Sequence, residues 1–183
     1  MTALPKNKMT VDEYLAWAQD KPGRFELYAG VVYAMAPERA GHATVKFAVQ
    51  AALRAAIHRS GLPCHMLPDG MTVRIAAHTA HEPDALVYCG QRLPGDAVEV
   101  PKPIIVVEVL SPSTRNIDAS AKLAGYFRID SVQHYLIVDP DQPLVIHHAR
   151  GEADLVVTRI LREGQIVLDP PGIQVPIADF YIT

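Results

Sequence analysis

The sequence predicts an α/β protein of the α+β kind, with a mixed central β-sheet flanked by helices. Three observations lead there. Strand-like runs outnumber helical ones, and the helical stretches fall between strands, the pattern of a mixed sheet with helices packed on it. Residues 104–110 (IIVVEVL) form the most β-prone run, and its continuous apolar character is that of a central strand covered on both faces. Residues 41–61 carry Val45, Val49, Ala52, Leu53 and Ile57 at three- and four-residue steps, one apolar stripe of a long helix. With 183 residues the chain has the size of one ordinary domain, 1–183.

The elements follow in order. Thr10 with Glu13 three residues on is a capping box, so a helix opens there, with Leu15 and Trp17 inward, until Lys21-Pro22-Gly23 stops it. The run RFELYAGVVYAM reads as a hairpin turning at Gly30. The long helix ends at Gly61, the residue favoured in a left-handed cap. Strands are expected at 71–75 and 85–89, then at 104–110, which Ser111-Pro112-Ser113-Thr114 breaks. A helix over about 119–129 precedes a strand at 134–138 and the turn DPDQP. Residues 144–148 and 155–161 read as an antiparallel pair, and 172–180 as a short irregular tail.

Composition bounds the function. The chain is 49% hydrophobic and 20% charged, an ordinary globular balance. No apolar run approaches the ~18 residues of a membrane span, and the first ten residues hold no apolar signal core. A cytoplasmic protein with no membrane partner is expected. The net charge of −3 offers no global basic face for nucleic acid, so any such partner rests on local features. Cys64 and Cys89 lack zinc spacing and are expected as two buried reduced thiols. His78 and His81 lie between strands rather than on one helix face, and His147-His148 alternate across a strand, so neither pair reads as a metal site. No Ser/His/Asp triad, phosphate loop or nucleotide fingerprint appears.

Three residues do not fit a bland core. Glu108 sits inside the aliphatic run, where an unpaired carboxylate costs several kcal/mol and demands a cation, a proton or strong donors. An Arg partner at the strand exit would also satisfy it. Asp84 follows Pro83 at the start of a strand, a place where turn aspartates are also common. Lys122 shares a helix face with Asp118; a surface ion pair explains that spacing, but Leu123 and Phe127 put an apolar side close by. Together the three make a chemistry. Two carboxylates on neighbouring strand ends hold a hard divalent cation such as Mg²⁺, and a lysine beside it orients water or stabilises developing negative charge.

The strings that carry this chemistry are Pro83-Asp84, EVLSPST over 108–114, Asp118 with Lys122 and Tyr126, and YLIVDP over 135–140, with Phe25-Glu26-Leu27, Gly30 and Gly41-His42 upstream. In them the chain resembles the Uma-two family of restriction-endonuclease-like proteins, from about Val11 to the C-terminus; that family is similar to the PD-(D/E)XK nucleases. The resemblance implies a restriction-endonuclease-like fold with Asp84 and Glu108 as metal-binding carboxylates and Val109 adding its carbonyl. It makes Glu26 a further acid near the site and His42 a possible substrate contact, although a local role at the helix start suits His42 as well; Arg115, just after the EVLSPST string, is a further possible substrate contact. The superfamily's simplest motif places its lysine two residues after the acid, where this chain has Leu110. The resemblance implies that the lysine has moved to the following helix, as Lys122.

The expected function is a Mg²⁺- (or Mn²⁺-) dependent endonuclease acting on DNA. Arg54, Arg59, Arg74, Arg115 and Arg128 are candidate phosphate contacts. A homodimer is expected by analogy, since two sites related by a two-fold axis suit a duplex. The alternative is a non-catalytic DNA-binding or protein-interaction module that keeps the fold. A hydrolase of another phosphoester is the third reading.

Overall fold

The computed structural model describes residues 2–3, 8–111 and 119–182. A six-stranded sheet forms the centre. Its strands are β4 (Cys64–Pro68), β7 (Ala85–Cys89), β8 (Ile105–Val109), β9 (His134–Val138), β10 (Val145–Arg150) and β11 (Val156–Leu161), in the order β11-β10-β9-β8-β7-β4. Every neighbouring pair is antiparallel except β8 and β9. Parallel neighbours need a crossover, and helix α3 (Ala119–Tyr126) lies in that connection.

Alternation along the central strands splits the core into two faces. Ala85, Val87, Ile105, Val107, Val109, Leu136 and Val138 point one way, onto Val45, Val49, Ala52, Leu53 and Ile57 of α2 (Ala40–Ser60). Leu86, Val106, Tyr135 and Ile137 point the other way, onto Tyr126 of α3 and Val132. Glu108 has the second parity and emerges on the α3 side. On that side Gly125 of α3 meets Ile75 of the second sheet: a Cβ on it would stand 3.2 Å from the Ile75 Cγ2, so glycine favours the close approach.

A second, antiparallel sheet has the order β1-β3-β2-β6-β5, from β1 (Thr2–Ala3), β2 (Phe25–Tyr28), β3 (Val31–Ala34), β5 (Val73–Ala76) and β6 (Thr79–His81). The expected hairpin is β2–β3. It turns through Ala29 and Gly30, both at positive φ (50° and 82°), the conformation of a tight primed turn. Helix α1 (Val11–Ala18) closes this sheet, and its capping box forms as expected. Its buried residues are Val11 and Tyr14, while Leu15 and Trp17 are only partly covered.

Several expectations need correction. Cys64 and Cys89 are a disulfide, not two thiols: β4 and β7 pair in a register that sets them directly opposite. Strand β4 follows the long helix unannounced, because CHMLP shows no apolar alternation. Residues 79–81, read as loop, are β6, and the tail is no irregular segment: Ile173–Pro176 is strand β13, paired with β12 (Gln165–Leu168), before a 3-10 turn at Ile177–Tyr181. That hairpin buries Ile166, Leu168, Ile173 and Val175 beneath α2, so contact rather than local propensity makes it regular. Among the described residues no helix is long and apolar enough to cross a membrane.

Candidate active site

β7 and β8 pair with Ala85 opposite Val107. Asp84, one step before β7, therefore lies level with Glu108, one step further along β8. Two backbone bonds fix Asp84: its N–H donates to the Val107 carbonyl (3.0 Å), and Gln50 of α2 donates to its own carbonyl (2.8 Å). Its Oδ2 accepts the Val109 N–H at 2.8 Å.

From the second sheet, β2 brings Glu26, and from the crossover α3 brings Lys122 and Tyr126. Lys122 Nζ donates to Glu26 Oε1 at 3.0 Å and to Glu108 Oε1 at 2.9 Å, and the Tyr126 hydroxyl donates to the same Glu108 oxygen at 2.8 Å. Glu26, Asp84, Glu108 and Lys122 are all buried. Among the described residues these bonds engage two of the lysine's three donors. Lys122 also lines a cleft of about 290 Å³ together with Glu26, His42, Asp84, Glu108 and Val109.

His42 enters from the first turn of α2. Its Nδ1 lies 2.7 Å from Glu38 Oε1, and its Nε2 lies 3.0 Å from the Val109 carbonyl and 3.5 Å from Asp84 Oδ2. Carboxylate and carbonyl oxygens only accept, so both ring nitrogens donate and His42 is an imidazolium. Burial pulls its pKa down, but the bond to Asp84 and that residue's charge, with Glu38 and the Val109 carbonyl, outweigh burial and raise it to about 9. Behind it, Lys46 pairs with Glu38 and with Asp69 (2.9 Å), and Arg24 pairs with Asp69 (2.6 Å).

Charge is unevenly matched in this pocket. Burial raises the Glu108 pKa; Lys122 opposes the rise, and the Glu26 and Asp84 carboxylates add to it. Burial also pushes on Glu26, but Lys122 and His81 overcome it and hold that carboxyl low. Lys122 loses stability as a cation by burial and regains more from Glu108 and Glu26, so its pKa is raised and it stays charged. Tyr126, raised by burial and then by Glu108, stays a donor.

The donors suit a hard divalent cation. Asp84, Glu108 and the Val109 carbonyl are all oxygen ligands, and the bonds described engage Oδ2 of Asp84 and Oε1 of Glu108, not the second oxygen of either carboxylate. Among the described residues no three His, Cys, Asp or Glu side chains form a metal-binding group. The fit is thus to an ion that keeps several water or phosphate ligands, as Mg²⁺ does.

The structure gathers Glu26, His42, Asp84, Glu108, Val109 and Lys122 around one cleft; Arg115 lies outside the described residues. Lys122 reaches Glu108 from α3, while Leu110 packs in the apolar cluster on that side. Arg74 is no free phosphate contact, because Glu99 (2.9 Å) and Asp12 (2.6 Å) hold it. Among the described residues the arginines that line the cleft are Arg24 and Arg39. Sequence reading missed Tyr126's bond, Arg24, and the chain Glu38-His42-Lys46. The four-residue steps of that chain are a signal that was available.

Comparison with known proteins bears on the family and the fold. The Uma2 family model, described as "Putative restriction endonuclease", matches residues 11–178. An "Uncharacterized protein slr1290" of Synechocystis sp. (strain ATCC 27184 / PCC 6803 / Kazusa) is 25% identical over 179 residues, 97% of this chain and 93% of that one. The solved structure of "a putative nuclease belonging to DUF820" from Anabaena variabilis ATCC 29413 superposes with a TM-score of 0.72 at 15% identity, over 94% of this chain and 97% of that one. At that identity the likeness is one of fold alone.

Proposed function

The chain belongs to the Uma2 family, and on that premise we propose that it is a Mg²⁺- or Mn²⁺-dependent endonuclease that hydrolyses phosphodiester bonds of DNA. The observation that carries this reading is the cleft floor: three buried carboxylates, Glu26, Asp84 and Glu108, converge against two cations, Lys122 between Glu26 and Glu108 and the His42 imidazolium facing Asp84. Such a carboxylate surplus is costly unless a further cation completes it. Asp84, Glu108 and the Val109 carbonyl would hold that cation. Bound there, a divalent ion supplies Lewis-acid polarisation of a phosphoryl oxygen and a more acidic water.

The residues of the chain do the rest. Glu26 anchors Lys122, so the ammonium stays beside Glu108 and its third N–H can be directed at a water or a non-bridging phosphate oxygen. A lysine with a raised pKa is no general base, so its contribution is electrostatic. Tyr126 fixes the Glu108 carboxyl by its hydroxyl. Arg39, at the cleft wall, suits a flanking phosphate of a bound strand, whereas Arg24 is held by Asp69 and Glu82. A homodimer would set two such clefts against the two strands of a duplex.

The test is cleavage of supercoiled plasmid with and without Mg²⁺, beside Asp84→Ala, Glu108→Ala and the double variant. Loss of cleavage of 10²-fold or more with thermal melting retained is expected, on the scale of removing one preorganised electrostatic group. Undiminished metal-dependent cleavage by the double variant would remove these residues from the site. A folded wild type that binds duplex DNA but never turns it over would favour the non-catalytic module, which the net charge of −3 alone does not exclude.

A further inference from the structure

We propose that the edge strand β11 is a homodimer interface: two copies of this chain pair β11 antiparallel about a two-fold axis through Thr158 and join their central sheets. The pairing is a property of the fold and does not depend on what the cleft cuts, so oligomeric state and hydrolysis succeed or fail separately.

Strand β11 closes the sheet order and, among the described residues, has a neighbouring strand on one side only, β10. Residues 156–160 are exposed, whichever face of the sheet they point to. Apolar side chains dominate there: Val156 is 38%, Val157 41% and Ile160 65% exposed, and Leu155, just before the strand, 65%. A continuous apolar patch of this kind marks an interaction surface more often than a solvated one. Soluble proteins blunt a free edge with Pro, Lys, a bulge or a covering element. β11 holds neither Pro nor Lys, and its ladder with β10 runs from Val156 to Leu161 without a register shift.

Backbone direction selects the register. The Gly151 N–H donates to the Leu155 carbonyl (2.7 Å), and the Arg150 N–H donates to the Gln133 carbonyl on the β9 side of β10 (2.8 Å). Alternation therefore turns the N–H and C=O of Leu155, Val157, Arg159 and Leu161 towards β10, and those of Val156, Thr158 and Ile160 outward. A two-fold axis relating antiparallel strands stands perpendicular to the sheet and passes through a residue paired with itself, so the same patch serves both copies. Centred on Thr158, it pairs Thr158 with Thr158 and Val156 with Ile160, and all three outward residues of each strand exchange both bonds. That register also sets Val157 against the aliphatic stem of Arg159, Leu155 against Leu161, and the turn carrying exposed Glu152 beside exposed Arg162 of the other copy. Centred on Arg159, the axis would oppose two like charges. Centred on Val157, it would carry Ile160 past the strand, opposite the turn at Glu152–Asp154. Backbone donors, apolar pairs and end charges thus all match a second copy of this chain. A six-residue strand is about 20 Å long, which puts the contact at the small end of specific interfaces and the dissociation constant in the micromolar range.

Sedimentation velocity at roughly 1 to 200 μM protein, in chelator and without DNA, tests this with wild type, Ile160→Pro, Ile160→Lys and Phe47→Lys, each checked by thermal melting. A concentration-dependent dimer of the wild type is expected. Ile160→Pro removes an outward N–H that the β10 ladder does not use, and Ile160→Lys puts a charge on the apolar edge. Each should weaken dimerisation about tenfold or more with folding retained. Phe47, 72% exposed on α2, is the control, and Phe47→Lys should dimerise as the wild type does. A wild type that stays monomeric at the highest concentration overturns the inference. So does a dimer of undiminished affinity in Ile160→Lys, or one lost in Phe47→Lys, which would move the contact to α2. Should Ile160→Pro alone fail to fold, Ile160→Lys decides, because that side chain is exposed.

Discussion

Replacing Lys122 with methionine is the most direct perturbation of the buried cluster. The substitution keeps an unbranched side chain of similar length and removes only the ammonium. In the native protein that ammonium lies 3.0 Å from Glu26 and 2.9 Å from Glu108, with all three side chains buried. Its loss leaves two buried carboxylates, one of them already raised in pKa by burial and then by its acidic neighbours, without that compensating cation. Removing one partner of a buried ion pair costs about 3–5 kcal/mol. For a domain of this size each kcal/mol lowers the melting temperature by roughly 2–4 °C, so Lys122→Met should melt roughly 6–20 °C below the wild type. The assay is thermal unfolding near neutral pH in chelator, so that no metal takes the lysine's place. Adding Glu26→Gln and Glu108→Gln should recover much of the loss, because the deficit is uncompensated charge rather than lost volume. A Lys122→Met protein that melts within about 2 °C of the wild type would refute the reasoning. The three groups would then not be sharing charge in a buried site.

Further predictions concern other parts of the molecule. Burial lowers the pKa of both His134 and His147 and keeps the rings neutral; His134 Nε2–H then donates to the Pro170 carbonyl (2.9 Å), which leaves His134 Nδ1 to accept from His147 Nε2–H (2.9 Å). Burial, then His134, Arg159 and His148, depress the His147 pKa to about 4. A histidine whose folded pKa lies below its unfolded value takes up its proton first in the unfolded chain. Stability is thus full above pH ~6.5 and should fall by up to about 3 kcal/mol as pH drops towards 4. Urea titrations across that range should show a flatter decline in His147→Gln, and an equally steep one would deny this pair its part. Gly30→Ala should cost about 1–2 kcal/mol, since φ is +82° and the new Cβ would stand 2.9 Å from Cβ of Lys8. Gly41→Ala, in α2 with no atom within 4 Å of the new Cβ, should instead stabilise by up to ~1 kcal/mol; denaturant midpoints for the two variants should move in opposite directions. In the core, Leu53→Ala should cost about 2–5 kcal/mol by chemical denaturation, because Leu53 is fully buried under the central sheet.

Elements whose signals are local, and residues whose burial is anomalous, are legible in the sequence. The Thr10–Glu13 box, the turn at Gly30, the stripe of the long helix and the apolar run around Glu108 each act within a few residues, and each formed where the pattern placed it. Glu108 was conspicuous because a carboxylate among aliphatic residues has a cost wherever the strand goes. Asp84, Lys122, Glu26 and His42 were named by their strings, but nothing local says that they meet. Their meeting depends on register and parity: Ala85 opposite Val107 sets Asp84 level with Glu108, and the alternation of β8 turns Glu108 towards α3. Only the packed structure decided that Lys122 bridges acids from two sheets, that Tyr126 holds Glu108, and that His42 faces Asp84 and Val109. It also decided the disulfide, the strand β4 and the C-terminal hairpin. Cys64 and Cys89 are 25 residues apart in sequence and become neighbours only when β4 pairs with β7. The physical reason is the same throughout. Turns, caps and amphipathic stripes draw on interactions between near neighbours in the chain, whereas a buried charge cluster draws on Coulombic and hydrogen-bond partners that only the folded sheet brings within reach.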